Sequence, residues 1–385
     1  MTAVTTRLLD ADDVRRSLSV RDLTDQAHGP HAMQILLDGV VEALREAWKG
    51  EVLIHRESPI VSVEENYDAL HYPPEGASRE ARYTRYLNGR TILRTQTSVM
   101  IPGLLRYLAR RREPWSDVLL VCPGLTYRRD AIDRLHTGEP HQVDLWRIKK
   151  GTPLSAEDLS EMVGLLASVA LPNHEVRTVP AEHPYTLDGL QIDARDPSGN
   201  EWVEVGECGL ALPGILHEND LDPESVSGLA MGLGLDRLLM LRKGMDDIRL
   251  LRSADERVAR QMLDLSPYRP VSHQPAIARD LSIAVPEDRT TEELGDRVRE
   301  ALGQRSELVE SVEVLSETPF DDLPPAAVER IGISPGQKNS LLRVVLRDLV
   351  RALTDEEANG LRDEVYAAVH EGAAWQWATR SARTT

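Results

Sequence analysis

The stretch CPGLTYRRDAIDRLHTGEPHQVDLWRI, residues 122–148, decides how this chain is read. Apolar segments bracket it. Val118 to Cys122 is a short apolar run bounded by Asp117 and Pro123-Gly124, the pattern of a buried strand. His141 to Ile148 reads as a second strand, with Gln142, Asp144 and Trp146 on one face because strand residues two apart point the same way. Between these strands the chain places arginines, acids and histidines on a connecting loop.

Moving outward, Glu201 to Val205 alternates like a strand and reaches Gly206 and Gly209. Ser227 to Leu241, within the stretch SGLAMGLGLDRLLMLRKGMDDIRLL (227–251), is a small-residue entry followed by a helix rich in Leu and Met. Its glycines let backbone approach a ligand, and Arg237 falls in the first turns of that helix. Two arginines on rigid elements, Arg128 and Arg237, suit a polyphosphate, because guanidinium makes planar charge-assisted bonds. There is no GxxxxGK[ST] loop, and MGLGLD lacks the spacing and the preceding strand of a dinucleotide fingerprint. Bound ATP would therefore rest on an arginine-clamped sheet.

Upstream, Met33, Leu36, Leu37, Val40, Val41, Leu44 and Ala47 recur at helical steps, so 31–48 reads as a helix. Downstream, three prolines in LSPYRPVSHQP (265–275) mark a boundary. Beyond it the pattern gives strand 277–285, helix 290–302, strands 308–315 and 341–349, helix 354–370 and a last strand 373–378. That order is βαββαβ, the ferredoxin-like arrangement.

The chain has 385 residues, 41% hydrophobic and 28% charged, a globular balance sufficient for two or three domains. Its longest nearly apolar stretch, Met162 to Leu171, is too short to span a membrane. The N-terminus has no apolar signal core, and Cys122 and Cys208 are too few for a disulfide framework, so a reducing cytosol is expected. A formal charge of −18 argues against general nucleic-acid binding. Phe320 is the only phenylalanine, so an aromatic-lined pocket must use Tyr, Trp or His.

Six segments in order carry a family resemblance: LRTQTS (93–98), YRRD (127–130) continuing through Asp133, His136 and His141-Gln142, HPYTLDGLQID (183–193), WVEVGECGLALPGIL (202–216), GLGLDRL (232–238) and TDEEAN (354–359). Together they make the chain resemble phenylalanyl-tRNA synthetase, a class II aminoacyl-tRNA synthetase, in its single-chain rather than its two-subunit form. The resemblance implies an α+β fold: an antiparallel class II sheet of six or seven strands flanked by helices, then the ferredoxin-like domain in an anticodon-binding role. The expected domains are an N-terminal arm and helix (1–50), a catalytic domain (51–268) and the ferredoxin-fold domain (272–385).

By position, the resemblance implies that Arg128 holds the α-phosphate and the substrate carboxylate, Arg237 the γ-phosphate, and Glu204 the Mg²⁺ that accompanies ATP. It sets Asp130 against the adenine amino group and His136 near the outer phosphates. Three pairs should line the amino acid pocket: Gln96 and Ser98, Gln142 and Asp144, His183 and Tyr185, with small Ala230 leaving room at the far end of a ring. The family has His at 96, Glu at 144 and two phenylalanines at 183 and 185. The first two pairs would hold the substrate ammonium. His and Tyr in the ring clamp add polar atoms, favouring a substrate with a polar ring or a shifted amino group over phenylalanine. Taken alone, His183 would read as a core histidine; pairing with an arginine is the bland alternative for Glu204, and His55, His71 and His217 read as structural.

Function at this level is activation of an aromatic or aromatic-like amino acid as its adenylate. The acceptor is open between a tRNA 3′ end and a small molecule or carrier protein, and a homodimer is the assembly considered. A non-catalytic synthetase-like regulator is the competing class, and intact Arg128, Glu204 and Arg237 count against it. Residues 272–385 hold about 13 basic and about 21 acidic side chains, a poor balance for gripping a polyanion, although Lys338, Arg343, Arg347 and Arg351 cluster around one strand as a local basic face.

Overall fold

The helix expected over 31–48 forms as Ala32–Trp48. His31 caps it, its Nδ1 accepting from the Met33 N–H while the Gln34 side chain accepts from the His31 N–H. Leu36, Leu37, Val40 and Leu44 bury its apolar stripe. This computed structural model describes residues 8–76, 79, 83–195, 201–271 and 275–376. Two compact units form. One draws on described residues of 1–128, 139–251 and 259–268, the other on 129–138, 252–258 and 269–385.

In the first unit the strands are β1 (Glu51–Ile54), β2 (Ile60–Ser62), β3 (Tyr86–Asn88), β4 (Thr91–Leu93), β5 (Asp117–Leu125), β6 (His141–Lys150), β7 (Glu175–Pro180), β8 (Thr186–Arg195), β9 (Val203–Ala211) and β10 (Val226–Gly234). Seven make one sheet in the order β1-β5-β6-β10-β9-β8-β7. Every pair in it is antiparallel except β1 with β5. This is the expected antiparallel sheet, with one parallel edge pair. Strands β2, β4 and β3 form a small separate sheet. On the large sheet, Val118, Leu120, Trp146, Ile148 and Ala230 join a core with Ile101, Leu104, Leu105 and Leu108 of the helix Ile101–Arg110.

Strand β10 sits at the centre, and its sequence alternates by size. Gly228, Ala230, Gly232 and Gly234 fall on one face, and Leu229, Met231 and Leu233 on the other. The small residues suggest no more than a helix entry; the stretch is a full strand that feeds the helix Leu235–Lys243. Over Gly232 this face leaves a trough, with no atom nearer than 4.0 Å to a Cβ there, whereas Ile148 and Ala211 close the face at Gly228.

In the second unit, β11 (Ile277–Pro286), β12 (Val309–Pro319) and β13 (Gln337–Leu346) form an antiparallel sheet in the order β11-β13-β12, packed with the helices Thr291–Leu302 and Asp355–Val369. The short helix Pro325–Ile331 intervenes between β12 and β13, which the expected order lacks, and the expected last element is absent among the described residues. Ala373 to Gln376 is not a strand, and 377–378 lie outside the described residues. Here the Glu371 N–H donates to the Ala284 carbonyl, one backbone bond rather than a ladder.

Segment 129–138 is built into this second unit. Ile132 belongs to its core, and the Ile132 carbonyl accepts from the Val312 N–H at 2.9 Å. Arg299 donates to the carbonyls of Asp130 and Ala131, and Arg129 lies 3.4 Å from Asp296. Gly295 permits this packing, since a Cβ there would lie 2.8 Å from the Asp130 carbonyl oxygen.

The local basic face is neutralised. Arg343 pairs with Asp280, Arg347 with Glu310, Arg351 with Glu357 and Lys338 with Glu317. The sequence pattern shows the cations on one strand but not the acids that neighbouring elements bring to them.

Two glycines of the first sheet should behave oppositely. A Cβ at Gly206 would lie 2.4 Å from the Gly232 carbonyl oxygen, which is backbone and has no room to give. Gly206→Ala should destabilise by about 1–3 kcal/mol through overpacking. At Gly232 the nearest atoms are the Asp144 carboxylate oxygens at 4.0 Å, so Gly232→Ala should stay within about 0.5 kcal/mol of the parent. Urea unfolding of both variants checks this; equal losses would refute it.

Candidate active site

The floor of the site follows from strand register. Asp144 on β6 lies opposite Gly232 on β10, and Gly232 lies opposite Glu207 on β9. One step along, Trp146, Ala230 and Gly209 form the next row. Gln142 faces Gly234 at the open end. Side chains of such cross-strand rows share a face. Large and charged groups on β6 and β9 therefore border the trough that β10 leaves empty, and Ala230 stands where a small floor residue was expected.

Of the three expected pairs, only Gln142 and Asp144 occupy a strand. Gln96 precedes a short 3₁₀ turn, Thr97–Met100, so strand alternation does not govern Gln96 and Ser98. His183 and Tyr185 lie in the connection between β7 and β8. Turn and connection nevertheless bring both pairs toward the same floor. Thr97 Oγ1 donates to Asp144 Oδ2 at 2.7 Å, and the neighbouring Ser98 hydroxyl favours the ionised forms of both Asp144 and Tyr185. Tyr185 is buried, its ring 5.9 Å from Trp146, 6.1 Å from Tyr72 and 6.4 Å from His183. The His183 and Tyr185 rings are nearly parallel, at 28°. Gln96 is engaged at both ends of its amide, accepting from the Tyr72 hydroxyl and donating to the Asn66 carbonyl, each at 2.8 Å.

Asp144 is 3% exposed. Burial pushes its carboxyl up to about 6, against the hydrogen bonds from Thr97, Ser98 and Trp146, and the charge of Glu207 adds to the rise. Burial likewise pushes the Tyr72 hydroxyl up. Sequence reasoning does not find Glu207 and Tyr72. The alternation Gly228, Ala230, Gly232, Gly234 is the available signal for the trough, and it points to whatever flanks it on β9.

Beyond the trough, three of the expected ATP residues, Arg128, Glu204 and Arg237, belong to the first unit. Arg237 Nη1 donates to the Glu204 carbonyl at 3.1 Å, and Arg128 Nε donates to the Thr95 carbonyl at 2.7 Å. Burial raises the Glu204 carboxyl, while the charges of Arg237 and Arg128 pull it back. Both guanidiniums thus act on one carboxylate. Arg237 is held through its neighbour: Asp236 accepts from the His141 backbone N–H and from Nδ1 of the same buried histidine. Among the described residues, no three His, Cys, Asp or Glu side chains gather as a metal cage. The Glu204 carboxylate, with the charges of Glu207 and Asp193 near it, fits a Mg²⁺ ligated chiefly by phosphate oxygens, that ion's usual mode.

Asp130 and His136 belong to the other unit. Asp130 Oδ1 accepts from the Ala131 N–H, and His136 Nδ1 contacts the Asp133 carboxylate at 2.7 Å. His55 and His71, read as structural, pair with Glu57 and Glu218.

An antiparallel sheet edged by paired arginines and an acid defines a class II synthetase core. The chain belongs to the family described as tRNA synthetases class II core domain (F), which matches residues 19–262. It is 36% identical over 196 residues to the phenylalanine–tRNA ligase alpha subunit of Prochlorococcus marinus (strain NATL2A), covering 51% of this chain and 56% of that one. To the alpha subunit of Clostridium botulinum (strain Langeland) it is 31% identical over 238 residues, covering 58% and 68%. The chain thus spans a little over half the length of the Prochlorococcus relative. A solved pyrrolysyl tRNA synthetase of Desulfitobacterium hafniense aligns with a TM-score of 0.43 and 18% identity, covering 62% of this chain and 77% of that one. No described helix is long and apolar enough to cross a membrane.

The raised Asp144 carboxyl has a thermodynamic signature. A carboxyl held above its usual 3.8 stabilises the fold fully below that value, and the contribution is lost as pH rises through about 6. Asp144→Asn should therefore gain stability relative to the parent as pH rises from about 4.5 to about 7.5, by about 2 kcal/mol, at about 1.4 kcal/mol for each pH unit crossed below the folded value. Urea unfolding across that range checks it; a pH-independent difference would show the carboxyl is not raised.

Proposed function

We propose that this chain activates an amino acid, aromatic or aromatic-like, as its adenylate. The substrate carboxylate attacks the α-phosphorus of ATP, a new O–P bond forms, the bond to the β-phosphate oxygen breaks, and pyrophosphate leaves. Membership of a family whose members use ATP and Mg²⁺ supports this, and the observation that carries it is Arg237 seated on the Glu204 carbonyl, with the charges of Arg237 and Arg128 both acting on the Glu204 carboxylate. In this reading Arg128 spans the attacking carboxylate and the α-phosphate, countering charge as it develops. Arg237 holds the γ-phosphate. Glu204 would hold Mg²⁺, which supplies positive charge across the phosphate oxygens. Asp144, with Gln142, Ser98 and Gln96 around it, takes the substrate ammonium. His183 and Tyr185 border the side chain over Ala230. Asp130 at the adenine and His136 at the outer phosphates rest on the family resemblance alone.

The test is ATP–pyrophosphate exchange across a panel of amino acids. Arg128→Ala and Arg237→Ala should each lower exchange about 10²–10³-fold, the cost of removing one fixed donor from a developing charge. Exchange near the parent level in either variant would sink the assignment.

For the acceptor, the relatives are named tRNA ligase subunits, which favours a tRNA 3′ end. The pairing of Lys338, Arg343, Arg347 and Arg351 with carboxylates favours the other alternative, a non-tRNA nucleophile, since paired cations leave little net charge for a polyanion. We take the second as the reading to test. Binding of total tRNA at two salt concentrations should be weak, with a shallow slope. Tight binding with a steep salt slope, together with charging of a phenylalanine tRNA, would overturn it.

A further inference from the structure

The pocket floor carries one more carboxylate than an ordinary amino acid needs. A zwitterion brings one ammonium and one carboxylate, and Asp144 and Arg128 answer those. Glu207 remains. It shares a row with Gly232 and Asp144, so the two acids face each other across a strand position with no side chain. Their backbones lie two strand spacings apart, about 9.6 Å. Over Gly232 the nearest atoms to a Cβ are the Asp144 oxygens themselves, at 4.0 Å, so the space between the acids is open.

Glu207 is also poorly answered from within the protein. Among the described residues its ionic neighbour is His183, whose Nε2 lies 3.0 Å from Oε2 without hydrogen-bond geometry. That nitrogen is buried and has no hydrogen-bond partner, although its side chain is only 7% exposed; the other ring nitrogen contacts Thr186 Oγ1 at 3.3 Å. The Glu207 side chain is 45% exposed, so water serves it while the trough is empty. A substrate filling the trough would strip that water, and a desolvated carboxylate without a cation is costly. A neutral side chain imposes that cost. A cationic one removes it.

We infer that Glu207 selects amino acids bearing a second cationic group on the side chain, held over the Gly232 gap opposite Asp144. This rests on the adenylation reading of the same pocket and deepens it to a substrate class. The second cation lies between one and two strand spacings from the first, roughly 5–10 Å. A primary ammonium on a flexible or aromatic side chain fits that reach, with Tyr185 and His183 offering flat surfaces alongside.

A matched pair of probes isolates the charge: 4-(aminomethyl)phenylalanine and its near-isostere 4-ethylphenylalanine. In pyrophosphate exchange with the full chain, kcat/KM should favour the cationic probe about 10–100-fold, the value of a hydrogen bond to a charged group. Glu207→Gln should collapse that ratio toward one by losing the cationic substrate, with KM for ATP unchanged. Glu207→Asp, which keeps the charge, should restore part of it. Calorimetric binding of both probes without ATP, to parent and variants, should follow the same ratio. If neither probe nor any amino acid of the panel supports exchange, the adenylation reading fails, and the binding ratio alone decides this proposal. A preference for the neutral probe, or a ratio that Glu207→Gln leaves intact, overturns it and leaves Glu207 as a partner of His183 only.

Discussion

The site hangs on a buried contact between His141 and Asp236. His141 is fully buried at the start of β6, and its Nε2 accepts from the Leu23 N–H, which leaves Nδ1 to carry the proton toward Asp236. Asp236, 2% exposed, accepts from that ring and from the His141 backbone. Three chain regions are tied at one point: the N-terminal segment, the strand that bears Gln142 and Asp144, and the helix that bears Arg237. Each polar atom in the knot has a partner, and removing one would leave others buried and unsatisfied. Arg237 and Asp144 are thereby held in one register before any ligand arrives.

Much of the scaffold is legible in the sequence because it depends on local pattern. The helix Ala32–Trp48 follows from apolar spacing, β5 from a short apolar run between turn residues, and β6 from side chains two apart sharing a face. What escapes depends on partners distant in sequence. Strand alternation does not extend to Gln96 and Ser98 or to His183 and Tyr185, because those residues sit in a turn and a connection, and only tertiary packing brings them to the floor. Glu207 is hidden in the stretch WVEVGECGLALPGIL because its significance arises two strands away, opposite a glycine. The apparent basic strand of the second unit is legible, but its neutralising acids on β11, β12 and the helix Asp355–Val369 are not.

The pocket keeps a charge where the fold would prefer none. Asp144 is surrounded by Cys122, Trp146 and Tyr185, and a buried carboxylate in such company opposes folding once ionised. Thr97, Ser98 and Trp146 offset part of that opposition and orient the oxygens. A group poised near neutrality is suited to meeting a cation, because the ligand restores what burial took away.

The route of residues 129–138 bears on how such a protein could be taken apart or assembled over evolutionary time. The chain leaves the large sheet after Arg128, contributes Ile132 to the core of the second unit, and returns at Glu139 for β6. The second unit is therefore not a cassette appended at the proline-rich boundary. A gene shortened at that boundary would encode a hairpin tip bereft of the Arg299, Val312 and Asp296 contacts that shape it. A gene encoding only the later residues would lack Ile132 in the core they build. Domain shuffling by simple end-joining would break both halves at once, so the two parts have to be inherited, exchanged or engineered together.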